Sequence, residues 1–270
     1  MLTGANASEL DYSALAAQVN PPDGYSLPAR YADLGPRLLA AGVIDFDAFA
    51  AIYESSGNPL SPAEIEILKH GSDAQIVINQ ANAHFLLNLF WAVGLANRNT
   101  ILTDGSMMTY SKGQIEGFAS TGGWSLATRP VSELYSSLDL IQLTPVQQAQ
   151  VEEVAAAVYR PCCDNSTLFP DCNHGVAMLG LLELMASQGA SVDEMFQAAK
   201  YINAFWFPGQ TLASAVYLKA HQDVDFSEAD ARLVVGKEYA SASGTGRVHQ
   251  SLQAGGLLPQ ALSGGNRCTD

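Results

Sequence analysis

A mostly α, single-domain irregular helical bundle is what this sequence predicts, and three observations predict it. Ser61-Pro62-Ala63-Glu64, Thr144-Pro145-Val146-Gln147 and Ser191-Val192-Asp193-Glu194 each set an N-cap hydroxyl three residues before a Glu or Gln that can reach back to the cap N–H. Alternating β-branched runs joined by hairpin turns are nearly missing. One segment, about 74–96, is apolar nearly all round, which marks a central buried helix with others packed about it. Apolar types make up 48% of the 270 residues and charged types 15%, enough to bury a sizeable core and to exclude global disorder.

In chain order, residues 1–27 carry Pro21-Pro22-Asp23-Gly24 without sustained periodicity and are expected as a loose arm or linker. Helices are expected over 31–41 and 46–55 and after the Ser61 cap. In the 74–96 segment, Asn79 and Asn82 share one side and His84 and Asn88 the opposite one. Buried amides need partners, because an unpaired one costs about 1–3 kcal/mol, so these are expected to hold loops. His84 is also a candidate ligand or proton carrier. After Thr144, Val151, Val154, Ala155 and Val158 fall on one helical face. Further helices follow Cys172 and Ser191 and cover 212–221 and 228–240, which gives a helical domain of 28–240. The Gly-rich residues 241–270 are expected as a loose tail. The 97–100 segment reads as turn chemistry, and Trp124 reads as packing.

Chemistry concentrates in one loop. Arg160-Pro161-Cys162-Cys163-Asp164-Asn165-Ser166-Thr167-Leu168-Phe169-Pro170-Asp171-Cys172-Asn173-His174 holds three of the four cysteines, with two prolines stiffening its backbone. Cys172 falls at or just before a helix start, where exposed N–H groups favour a thiolate. Cys162, Cys163, Cys172 and His174, with His84 as a possible fifth member, form the candidate metal set. Such soft ligands suit Zn, Cu or an iron–sulfur cluster, and thiophilic ions such as Hg(II) or As(III). The spacing matches neither paired Cys-x2-Cys knuckles nor the common ferredoxin patterns. Asp171 is placed to orient His174 or a ligand, whereas Met178 and Met185 read as core.

Two other readings stand beside the metal. The cysteines can be disulfide staples of an extracellular binding module, with Cys268 pinning the tail. Cys172 can instead be the nucleophile of a thiol enzyme with His174 as base, although residues two apart at a helix start project about 200° from each other. The metal leads, because a staple needs neither His174 nor two stiffening prolines.

Thirteen Lys plus Arg against 27 Asp plus Glu, a formal charge of −14, leave nothing basic to neutralise a nucleic-acid backbone. No run is long and apolar enough to span a bilayer, so the expected partner is a metal ion or small molecule. A lysine count of five and a polar, small-residue start lean toward export, periplasmic, extracellular or surface-tethered.

Overall fold

Two long apolar helices cross at the centre of the structure, a computed structural model that describes residues 10–258. Helix α5 (Ala83–Ala96) buries all its residues except His84 and Trp91, and α7 (Asn173–Ser187) buries every residue from 175 to 186. Their contact is the most extensive between any two helices, because it runs through Gly94 and Gly180. A Cβ on Gly180 would stand 2.5 Å from the Phe90 carbonyl oxygen and 2.6 Å from the Gly94 nitrogen, so only glycine lets the two backbones touch there. Around this pair pack α2 (Leu34–Ala40), α3 (Phe46–Ser55), α4 (Pro62–His70), α6 (Pro145–Ala157) and α8 (Val192–Trp206). A further layer is built from α1 (Tyr12–Val19), α9 (Pro208–Gln222) and α10 (Ala242–Ala254). The segment between α5 and α6 is a run of short helical turns from Thr100 to Leu134.

The three capping boxes form as the sequence predicts. The N-cap oxygens of Ser61, Thr144 and Ser191 accept from the N3 amides at 3.3 Å each, and Glu64, Gln147 and Glu194 accept the cap N–H groups at 2.7, 2.9 and 2.8 Å. Trp124 is core as expected, with Nε1 donating to the Val43 carbonyl at 2.8 Å, and Met178 and Met185 are buried.

Four stretches differ from expectation. The expected arm over 1–27 contains α1 and the start of a strand, β1 (Tyr25–Ala32), held by burial of Leu15, Val19 and Leu27. The helix expected over 31–41 begins only at Leu34, after that strand ends. The segment 74–96 is divided: β2 (Ser72–Ile78) pairs antiparallel with β1, with Tyr25 opposite Ile78 and Ala32 opposite Ser72, and α5 starts at Ala83. The β-branched run Ile76-Val77-Ile78 suits a strand. The amides then make the turn: Asn82 Oδ1 accepts from Asn79 N at 2.8 Å, Asn79 Oδ1 accepts from Ala81 N at 2.9 Å, and Asn82 Nδ2 donates to Val77 O at 2.8 Å. Near the C-terminus, the helix expected over 228–240 breaks at Gly236 into two short turns, Ala231–Val234 and Lys237–Ala240. The expected tail opens as α10, capped by Ser241 and packed on α9 through Val248 and Leu252. Residues 259–270, including Cys268, lie outside the described residues.

Candidate metal centre

The cysteine loop leaves the end of α6 and returns to the start of α7. Two backbone bonds close its base, Thr167 N to Val158 O at 2.8 Å and Leu168 N to Ala155 O at 2.9 Å, and Tyr159 bridges Ser166. The rest is braced from outside. Ser120 N donates to Asp171 O at 3.1 Å, Asn203 Nδ2 to Tyr159 O at 2.8 Å, and Ala242 N to Cys163 O at 2.9 Å. Ser243 N donates to the Asp164 carboxylate at 2.8 Å, which with the Ser243 side chain lowers the pKa of that exposed group.

This frame brings the thiols of Cys162, Cys163 and Cys172 within 4.8 Å of one another, all three half-buried and free. The closest approach is Cys162 Sγ to Cys172 Sγ at 3.3 Å. Cys172 is the N-cap of α7, and its sulfur accepts from Gly175 N at 3.4 Å. That is the helix-start position the sequence implies.

Beneath the sulfurs lies Arg160, its side chain only 1% exposed. Its Nε donates to Cys172 Sγ at 3.1 Å, one terminal nitrogen to Asn165 O at 2.9 Å, and the other to Phe169 O at 3.1 Å and Asp171 Oδ1 at 2.6 Å. Gly175 makes room for it, since a Cβ there would sit 2.6 Å from the guanidinium carbon. Hydrogen bonds from the Cys162 and Cys163 thiols, joined by the charge of Arg160, hold the Cys172 pKa well below the ordinary thiol range. Hydrogen bonding to Cys163 first, then to Cys172, together with burial, pushes Cys162 upward. Burial works against the Arg160 charge, but Cys172 and Cys163 outweigh it and raise its pKa.

Among the described residues the convergent group consists of the three cysteines; neither histidine is part of it. His174, in the first turn of α7, packs its ring 4.4 Å from that of Phe207 and 5.7 Å from that of Trp206. His84 opens α5, where its exposed ring lies 5.1 Å from that of Tyr53 and Nε2 is 3.5 Å from Asn88 Nδ2. There it lines a cleft of about 840 Å³ with Tyr31, Tyr53, Glu64 and Phe85. Asn79 and Asn82 meet as expected, but in a turn rather than on a helix face, and His84 and Asn88 stay neighbours on α5. Asp171 orients Arg160 rather than a histidine, and its second oxygen accepts from Asn165 Nδ2 at 2.8 Å.

Sequence reasoning passed over the buried charged groups Arg160 and Glu183, and Lys200 of α8 besides. Arg160 stands beside Pro161 in a segment that reads as loop, and only its proximity to three cysteines marks it. Glu183, fully buried in α7, receives Asn97 Nδ2 at 3.1 Å and Asn99 Nδ2 at 2.5 Å, and burial pushes its pKa up to about 8. A lone carboxylate between Leu182 and Leu184 was the available signal. No helix among the described residues is long and apolar enough to cross a membrane. No protein-family model, curated protein or solved structure matches the chain.

Proposed function

We propose that the protein binds and carries one soft metal ion, held by the thiolates of Cys162, Cys163 and Cys172. The carrying observation is the convergence of three sulfurs within 4.8 Å over a buried guanidinium. A metal–sulfur bond of about 2.3 Å places the sulfurs of one ion about 3.3–4 Å apart, depending on the angle at the ion, which lies within that spacing. The cysteines of an iron–sulfur cluster are spread over at least two irons, so three sulfurs that all lie close to one another favour a single ion over a cluster. Three protein ligands leave one side open, as a site that exchanges its ion requires. Export belongs to the same proposal, supported by the five lysines and the polar start, and a bound ion would keep the thiols from oxidising outside the cell.

The 3.3 Å contact between Cys162 and Cys172 also favours a second reading, in which these two oxidise to a staple. Elemental analysis beside a thiol count under denaturation separates the two. The reduced chain loaded with zinc should hold one ion, and Cys162→Ser or Cys172→Ser should lose at least tenfold in occupancy, with Cys268→Ser unchanged. Equal metal in all three variants would sink the assignment. Absence of both metal and free thiols in protein purified without reductant would establish the staple.

A further inference from the structure

We infer that the ion this centre is shaped for is a trivalent, lone-pair thiophile of the As(III) or Sb(III) class, held as a three-thiolate pyramid; this rests on the metal-binding reading and narrows it. The first ground is ligand number. Among the described residues the convergent set is three sulfurs, and the Asp171 carboxylate, 3.8 Å from Cys163 Sγ, has both oxygens engaged, one by Arg160 and one by Asn165. Closed zinc sites use four protein ligands, whereas an ion with a stereochemically active lone pair is complete with three.

Angle is the second ground. Two sulfurs 3.3 Å apart on one ion with bonds of about 2.3 Å subtend about 90° at that ion. A tetrahedral ion at that bond length needs about 3.8 Å between sulfurs, and a planar three-coordinate ion about 4 Å. Near-right angles are the geometry of bonds made from p orbitals beside a lone pair.

Charge is the third. Arg160 touches both Cys172 and Asp171, but its single positive charge and the Asp171 carboxylate sum to zero, so the net charge of three thiolates is left for the ion to balance. A trivalent ion leaves the half-buried centre neutral; a divalent one leaves a net negative charge and Cu(I) a larger one, and uncompensated charge in a desolvated site is costly. Uptake is a ligand exchange without redox change. As(OH)3 plus three thiols gives As(SR)3 plus three waters, as three As–O bonds break, three As–S bonds form and each thiol proton leaves on a hydroxide.

The test uses the reduced, full-length chain under anaerobic conditions, titrated with arsenite, zinc chloride or Cu(I), and read by intact mass and thiol reactivity. Arsenite should add one arsenic less three protons, block three of the four thiols, and bind at least tenfold tighter than zinc in direct competition. Cys162→Ser, Cys163→Ser and Cys172→Ser should each weaken arsenite at least tenfold, which a site using only two thiols would not show. Competition on the parent chain needs no variant to fold. If zinc or Cu(I) binds and arsenite fails to displace it, or if one of the three serines leaves arsenite affinity intact, this inference falls while the metal-binding proposal stands. If no ion binds, both fall.

Discussion

At the scale of single residues, Arg160 organises the candidate site. Its side chain serves four acceptors with almost no access to water, so its removal takes the charge partner from Asp171, leaving it only Asn165, and the donor from two loop carbonyls. Arg160→Met should therefore cost about 3–5 kcal/mol in urea unfolding, the range for breaking a buried pair from one side. Arg160→Lys, with the charge kept but the planar fork gone, should recover only part of that. Glu183 makes a second residue-scale prediction. Its folded pKa, about 8, lies above the ordinary value of 4.5, so the native state holds a proton that the unfolded chain releases. Stability should fall as pH rises from about 4.5 to about 8 and then level off. Glu183→Gln should remove that slope, and melting temperatures at pH 5, 6.5 and 8 check it; parallel curves for parent and variant would refute it. The cysteine trio was legible because thiols at that density have few bland explanations. Arg160 and Glu183 were not, because their roles depend on partners brought together only by the tertiary fold, such as Asn97 and Asn99 for Glu183.

At the scale of elements, local chemistry was readable and long-range pairing was not. The caps at Ser61, Thr144 and Ser191 lie within four residues of sequence, and all three formed as read. The strands escaped notice because about forty residues, not a hairpin turn, separate them, and because β2 runs through an asparagine turn straight into an apolar helix. The crossing of α5 and α7 was invisible for a related reason: Gly94 and Gly180 are ordinary helix-weakening glycines until the other backbone is beside them. On an isolated helix, alanine at either site would be favourable by propensity. Here Gly180→Ala should instead destabilise by about 1–3 kcal/mol or more, because the methyl meets rigid backbone rather than a side chain that can turn away. A rise in unfolding midpoint for this variant would show that the helices do not approach so closely.

At the scale of the whole molecule, the cysteine loop joins α6 to α7, so an ion held there clamps two core elements. Binding restricted to the native state stabilises it by about 2.7 kcal/mol when free ion is 100-fold above its dissociation constant. A chelator should therefore lower the melting temperature of the loaded protein at neutral pH, and the effect should shrink toward pH 5 as proton competition strips the thiolates. A staple predicts the reverse, indifference to chelator and a large loss on reduction. The mostly helical class was legible from periodicity and caps, whereas the ends were underestimated because glycine and small polar residues hid α10, whose burial rests on Val248 and Leu252 against α9. That helix has a consequence in time as well as in space. Ser243, which grips the loop through Asp164, lies 79 positions further along the chain. At about 5–20 residues per second of synthesis, the cysteines are made about 4–16 s before their last brace exists. The nascent chain thus presents its thiols unguarded for that interval, and whatever ion or oxidant reaches them first meets a site not yet assembled.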